Sequence, residues 1–319
     1  MLRFILPDDS MPRTVFWDHF LAASLKADTR RPDSRELLIP AEDIAMETNW
    51  PAYGNQAAAY LRGPAHEIGE GKNVNGYLDK IVDAARHNPG KRLLVVNMHP
   101  FFRVPLFLRE MPNVAIADGN LAEYERALNP RTVSFPALPV SSGVKKPAGT
   151  RRILASFQGV ASHPVRSGLA SIADGKTIVV NLVERSRHSG KINALKGRVD
   201  HAYERLLQNS EFAFVPRGDA TFSYRLLEVM SFGCIPVILS DGWVLPFDRI
   251  VKWETFSLRF SADAVPAIPA ILHSLRADEI AHRAEAVKRV YQKHFATLAR
   301  IVRTLFDELD AMTPTRLTK

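Results

Sequence analysis

Between Arg217 and Glu228 the chain reads RGDATFSYRLLE, which gathers two arginines, a glycine, a serine and a glutamate within one short stretch. Guanidinium groups make paired hydrogen bonds to phosphate oxygens, and a carboxylate accepts from sugar hydroxyls, so these types suit a phosphate and a ribose. Arg225 and Glu228 are three apart and share a helix face. They either address one ligand together or pair with each other as a surface salt bridge, and the surrounding elements must decide.

Those elements are a strand, a loop, a helix and a second strand. Phe212 to Val215 is an apolar run stopped by Pro216, and Ile235 to Leu239 is another, as expected of buried parallel strands. Between them Leu226, Leu227, Val229, Met230 and Phe232 mark an amphipathic helix facing the sheet, which Gly233 ends in a left-handed conformation. The loop Arg217-Gly218-Asp219-Ala220-Thr221 therefore opens at the carboxyl end of a strand. In an open α/β sheet that is where backbone N–H groups and a helix start favour an anion.

Pro216, Gly218, Ser223, Arg225 to Glu228, Gly233 to Ile238 and Leu245 to Phe247 stand in an unbroken order that resembles the donor domain of the exostosin-like glycosyltransferases. The resemblance is clear from about Tyr203 to Phe260. It implies an α/β fold of two Rossmann-like domains facing a cleft, the GT-B architecture. It implies transfer of a sugar from a nucleoside-diphosphate-sugar, with Arg225 near the diphosphate and Glu228 near the ribose. The segment Ser156-Phe157-Gln158-Gly159 is similar to the family's first donor-domain strand and loop, with Arg166 at the start of the next helix, so Ser156, Gln158, Gly159, Arg166, Arg217, Gly218 and Ser223 join the expected donor site. Fold alone does not establish the activity.

The 319 residues suffice for two domains, and 46% hydrophobic with 24% charged residues is an ordinary globular composition. The single cysteine, Cys234, rules out an internal disulfide and reads as a structural thiol beside a buried strand. No run approaches the ~18 apolar residues of a membrane span, and Met1 to Pro7 is too short for a signal sequence, so a cytoplasmic protein is expected. The formal charge of +8 favours an anionic partner. Aromatic residues are not interleaved with the basic runs, which argues against nucleic acid.

Leu2 to Leu6, Leu37 to Ile39, Leu93 to Val96, Val114 to Ala117 and Thr132 to Phe135 read as strands of an amino-terminal, acceptor-side domain over residues 1–140. Helices are expected at Pro12 to Ala27, Val74 to His87 and Leu121 to Leu128, and long loops across the glycine-rich stretch Ala41 to Asn75. Asp8 and Asp9 precede the first helix and fit a cap better than a metal site. His99 follows the strand Leu93 to Val96. It either caps its loop or serves in a cleft as the base that deprotonates an acceptor hydroxyl, with Asp8, Asp9 and Glu47 next in line. Residues 141–150 lie in a linker rich in small and breaker residues.

The donor domain is expected over 151–277, opening with a strand at Ile153 to Phe157 and a turn at Gln158-Gly159. Gly159 would either let backbone approach a phosphate or only make that turn. Arg185, Arg187, Lys191, Lys196 and Arg198 form a basic stretch that is either a solvated loop or a lure for an acidic acceptor. Residues 278–319 carry apolar positions at helical spacing, with the option of packing back on the first domain, and a basic face. The expectation is an inverting glycosyltransferase that needs no metal and no cofactor beyond its donor, in polysaccharide or glycolipid synthesis. Its acceptor would be a saccharide or a lipid-linked oligosaccharide, the latter with peripheral contact to an anionic membrane. A catalytically inactive nucleotide- or glycan-binding subunit of the same fold is the alternative.

Overall fold

A computed structural model describes residues 4–5, 36–38, 56–61, 86, 92–97, 110–112, 114–129, 131–137, 150–183 and 201–312. The chain forms two compact units, the first of Met1–Phe135, Val244–Ile250 and Thr297–Lys319, the second of Pro136–Trp243 and Val251–Ala296. The expected residues 141–149 of the linker, the basic stretch 184–200, the helix at 12–27, and Asp8, Asp9, Glu47 and His99 lie outside the described residues.

Unit 1 holds a parallel sheet of six described strands, β1 (Phe4–Ile5), β2 (Glu36–Leu38), β3 (Gln56–Leu61), β4 (Arg92–Asn97), β5 (Val114–Asp118) and β6 (Thr132–Ser134), in that spatial order. β3 runs through the stretch expected to be loop. Its sequence QAAAYL has neither β-branched residues nor alternation, so the signal for a strand is absent locally. Pairing with β2 on one side and β4 on the other specifies it instead. Helix α1 (Glu123–Leu128) follows β5, and the Glu125 side chain reaches back to accept the Ala122 N–H at 2.9 Å.

Two segments from beyond the amino-terminal half complete unit 1. Val244–Ile250 docks on it through Val244 N–H to Leu121 O at 3.0 Å, Ser134 Oγ to Val244 O at 2.6 Å and Phe247 N–H to Ser134 O at 3.1 Å. Phe247 sits fully buried, edge-on to Phe135 at 6.1 Å, with φ at 55°. Asp248 pairs with Arg126, and Arg249 donates to Thr132 O at 3.1 Å and to the buried Glu308 at 3.3 Å. The Leu-Pro-Phe motif thus belongs to unit 1, not to the donor domain assigned it by a linear reading.

The second sheet consists of β7 (Ile153–Val160), β8 (Ile178–Val183), β9 (Ser210–Pro216), β10 (Ile235–Leu239) and β11 (Leu258–Arg259), all parallel, in the order β11-β10-β9-β7-β8. With it go α2 (Pro164–Gly168), α3 (His201–Gln208), α4 (Arg225–Ser231), α5 (Ile268–Ser274) and α6 (Ala277–Val290). α4 is less amphipathic than its pattern suggests: six of its seven residues are buried, because β9 and β10 cover one side and α6 another. Each large apolar side chain so enclosed contributes roughly 1.5–3 kcal/mol. Gly233 ends α4 at φ 69°, as its position demands, and a Cβ there would reach within 3.4 Å of Arg151 Nη2.

The terminal helical pattern is two helices assigned to different units. α6 stays with unit 2, a π turn at Tyr291–Phe295 breaks the spacing, and α7 (Leu298–Ala311) starts anew over Thr297 and belongs to unit 1. The domain boundary therefore falls at 296–297 rather than 277–278, and Val251–Ala296 returns to unit 2 after the excursion of Val244–Ile250.

Candidate active site

The order of the second sheet reverses between β7 and β9. From β7 the chain continues to β8 on one side, then crosses to β9 on the other and winds outward to β10 and β11. Loops leaving β7 and β9 at their carboxyl ends consequently part in opposite directions, which opens a crevice between strand ends. The described strands of the first sheet follow in simple spatial succession and have no such reversal. Sheet topology therefore makes residues 160–166 and 216–225 the candidate ligand site.

Arg166, the third residue of α2, lies between the ends of β7 and β9. Its guanidinium donates to Arg217 O at 2.8 Å, Val160 O at 3.1 Å and Pro216 O at 3.3 Å, tying the end of β7 to the end of β9. Burial, joined by the nearby Arg225 charge, lowers its pKa to about 10, which leaves it charged at neutral pH. Arg166 is accordingly a brace spent on backbone carbonyls. Gly218 packs closely beside it: a Cβ would stand 3.0 Å from Arg166 Nη2 and 3.4 Å from Ser162 Oγ and would press on that brace.

The loop from β9 to α4 is itself held in place, by Arg217 N–H to Leu239 O at 3.0 Å and by Ser240 Oγ to Thr221 O at 2.7 Å. Within this fixed loop two buried donors make no hydrogen bond in the structure: Arg217 Nε and Ser223 Oγ, the latter on a residue only 3% exposed. An unpaired buried donor costs on the order of 1–3 kcal/mol, so two on one loop mark a place prepared for an acceptor.

Arg225 and Glu228 do bind each other, as an ion pair whose side chains are 23% and 2% exposed. A third residue, Tyr203 of α3, completes the group: its hydroxyl donates to Glu228 Oε2 at 3.1 Å and its ring lies under the Arg225 guanidinium at 4.4 Å. Burial opposes the Arg225 charge, yet the Glu228 carboxylate and Tyr203 outweigh it and raise the pKa. Burial, with help from Glu228 and against Arg225, likewise raises the Tyr203 phenol well above its usual range, so it remains a donor. The cation is thus fixed in charge and direction, with a quarter of its side chain still open.

Other expected site residues fall elsewhere. Ser156 is fully buried mid-strand, opposite Ala213, and accepts from Ser210 Oγ at 2.7 Å, so it is a sheet residue and not a site residue. Gln158 and Gly159 form no turn, because β7 continues through both to Val160. A Cβ on Gly159 would stand 2.8 Å from Phe157 Cζ, so the glycine makes room for that ring. Gln158 lies within 3.5 Å of Asn181 across the β7–β8 pair. Cys234 is buried against Leu207 O at 3.0 Å, and burial raises its thiol pKa, as befits a structural role.

Two residues escaped the sequence reading. Tyr203 has no local signal for a site role, since its partners Arg225 and Glu228 lie more than twenty residues further along the chain. His163 caps α2 by accepting the Val165 N–H at 3.3 Å, and its signal is a polar residue before a proline just past a strand. Among the described residues no group of three His, Cys, Asp or Glu side chains could hold a metal ion, and no helix is long and apolar enough to cross a membrane.

Two parallel α/β units, the second with a reversal of strand order, have the Rossmann-like make-up of the GT-B fold class. The solved structure of a glycosyltransferase from Rickettsia africae superposes with a TM-score of 0.52 at 12% identity, over 98% of each chain. The model of the exostosin GT47 domain matches residues 72–275, and the chain belongs to that family. Exostosin-1 of Drosophila melanogaster is 29% identical over 218 residues, 64% of this chain and 26% of its own length. Exostosin-1a of Danio rerio is 34% identical over 117 residues, 37% of this chain and 16% of its own. The chain thus spans about a quarter or less of the length of these relatives.

Proposed function

We propose that the protein is a glycosyltransferase that moves a sugar from a nucleoside-diphosphate-sugar to a saccharide acceptor, with inversion and without a metal, in polysaccharide or glycolipid synthesis. The observation that carries this reading is the pair of unpaired buried donors, Arg217 Nε and Ser223 Oγ, on a braced loop at the reversal point of the second sheet. Membership of the exostosin GT47 family supports it.

In the reaction a base takes the proton of the acceptor hydroxyl and that oxygen attacks the anomeric carbon. The bond from that carbon to the diphosphate oxygen breaks, and the nucleoside diphosphate leaves with the electron pair. Negative charge grows on the leaving oxygen, so fixed cations and donors aimed there lower the barrier. Arg217, Ser223 and Arg225 take that part, while Glu228, buried and bonded to Arg225 and Tyr203, fixes the Arg225 guanidinium instead of reaching the ribose expected of it. His99, one strand end of unit 1 by sequence, is the base. A lipid-linked acceptor would bring the basic protein to an anionic membrane surface.

The test is a product assay with a panel of nucleotide-sugars and saccharide acceptors, read by mass spectrometry. A glycosylated acceptor with released nucleoside diphosphate is expected. Donor hydrolysis alone, or no turnover across the panel, defeats the reading.

A further inference from the structure

Unit 1 contains two buried carboxylate oxygens that make no hydrogen bond in the structure, Oδ1 of Asp248 and Oε2 of Glu308. They belong to one cluster. Asp248 accepts from Arg126 of α1 with its other oxygen, and Glu308 of α7 accepts from Arg249 with its other oxygen at 3.3 Å. The backbone N–H of Arg249 also bonds the Glu308 carboxyl, which brings that carboxyl against the segment Val244–Ile250 one residue from Asp248.

Ionised carboxylates only accept hydrogen bonds, so neither of the two open oxygens can satisfy the other. A single proton changes this, because protonated Glu308 carries an O–H and Asp248 Oδ1 is a buried acceptor without a donor. A metal cation would meet the same need, but Arg126 and Arg249 flank the two carboxylates and repel it. Arg249 favours the ionised form of Glu308, yet its side chain is 28% exposed and solvent weakens that pull, whereas the Glu308 side chain is 0% exposed. β6, which packs on α7, offers the Thr132 carbonyl to Arg249 and no titratable side chain. On α7 itself, Arg303 and Asp307 are exposed. Burial raises the Glu308 pKa to about 7, against Arg249 and with help from Asp248.

We propose that Glu308 and Asp248 share a proton, Glu308 Oε2–H donating to Asp248 Oδ1, and that this bond is a pH-sensitive latch holding helix α7 on the segment Val244–Ile250. With the proton in place, α7 is tied to that segment at Asp248 as well as at Arg249. When the proton leaves to solvent, two charged oxygens are left buried without donors and only the Arg249 contacts remain. Glu308 binds its proton more tightly in the folded chain than in the unfolded one, so the tie is complete below 4.5 and is lost as pH rises through about 7. None of these groups belongs to the donor site, and the latch stands apart from that reading.

The experiment follows amide hydrogen exchange of the full chain by mass spectrometry at pH about 5 and about 8, corrected for the intrinsic pH dependence of exchange, in the parent, Glu308→Gln and Asp248→Asn. In the parent, peptides of α7 should lose about 10- to 100-fold in protection from the lower pH to the higher, while those of α6 in unit 2 keep theirs. Glu308→Gln carries an N–H donor at every pH and should abolish the dependence, with protection near the parent's value at the lower pH. Asp248→Asn removes the like charge and offers an N–H to the Glu308 carboxylate, so the loss should move to lower pH. Protection of α7 that ignores pH in the parent, or that keeps its full dependence in Glu308→Gln, overturns the latch. An unmoved dependence in Asp248→Asn overturns the shared proton. An equal loss in α6 overturns the inference as well, because the effect then belongs to the whole chain and not to the seat of α7.

Discussion

Replacing Arg225 by leucine takes away the counter-charge of a carboxylate that is 2% exposed. Breaking a buried ion pair from one side typically costs about 3–5 kcal/mol, and loss of the stacking on Tyr203 adds roughly 0.5–2 kcal/mol. The Tyr203 hydroxyl still donates to Glu228, a hydrogen bond to a charged group worth about 1.5–3 kcal/mol, which holds the total near the lower end of that sum. A loss of about 3–5 kcal/mol is a large part of the ~5–15 kcal/mol that holds a domain together. Weaker nucleotide binding by the single variant would therefore be uninterpretable alone. Glu228→Gln should cost less, because the stranded guanidinium keeps 23% of its side chain in solvent. The double variant Arg225→Leu/Glu228→Gln buries no unpaired charge and should recover at least about 2 kcal/mol, while nucleoside-diphosphate binding stays lost. Urea unfolding followed by fluorescence in a Trp17→Phe/Trp50→Phe background, which leaves Trp243 and Trp253 of unit 2, reads the stability, and calorimetry reads the binding. Equal stability of Arg225→Leu and parent, or restored binding in the double variant, would refute the reasoning.

Ser223→Ala should leave the midpoint unchanged or slightly raise it, since a buried unpaired hydroxyl is removed, yet weaken binding of nucleoside diphosphate about fivefold or more; a calorimetric titration showing parental affinity would count against the site. Glu308 is buried, and burial, aided by Asp248 and opposed by Arg249, lifts its pKa from 4.5 to about 7. The folded state thus holds a proton that the unfolded chain releases, and this stabilisation, complete below 4.5, is lost as pH rises through about 7. Unit 1 should lose on the order of 1–3 kcal/mol across that window, and urea midpoints of Glu308→Gln against pH should be flatter there. Gly233→Ala should cost roughly 1–2 kcal/mol through the left-handed backbone at φ 69°, measured by urea unfolding.

The second unit was largely legible because its signals are local. Buried runs bounded by Pro216 and Gly233 fix β9, α4 and β10, and the reversal at β7 follows once strands are paired. Unit 1 was harder. β3 carries only alanines and one tyrosine at its centre, so neighbouring strands and not its own sequence make it a strand. The fate of Val244–Ile250 was hidden for a similar reason: Leu245 and Phe247 are apolar wherever they pack, and the partners Leu121, Ser134 and Phe135 lie more than a hundred residues away in sequence. At the site, Arg217, Ser223 and Arg225 could be chosen by type and spacing. Ser156 and Gly159 could not be told from ligand contacts, because only the packed structure shows that one is bonded to Ser210 Oγ and the other makes room for Phe157.

The central claim is that the diphosphate of a nucleotide-sugar sits at the reversal point of the second sheet. A crystal structure of the full chain with uridine diphosphate tests it most directly. Phosphate oxygens are expected within about 3 Å of Arg217 Nε and Ser223 Oγ, the donors now unpaired, with Arg166 still on its three carbonyls. Diphosphate bound at another place, with those two donors left unpaired, would contradict the account.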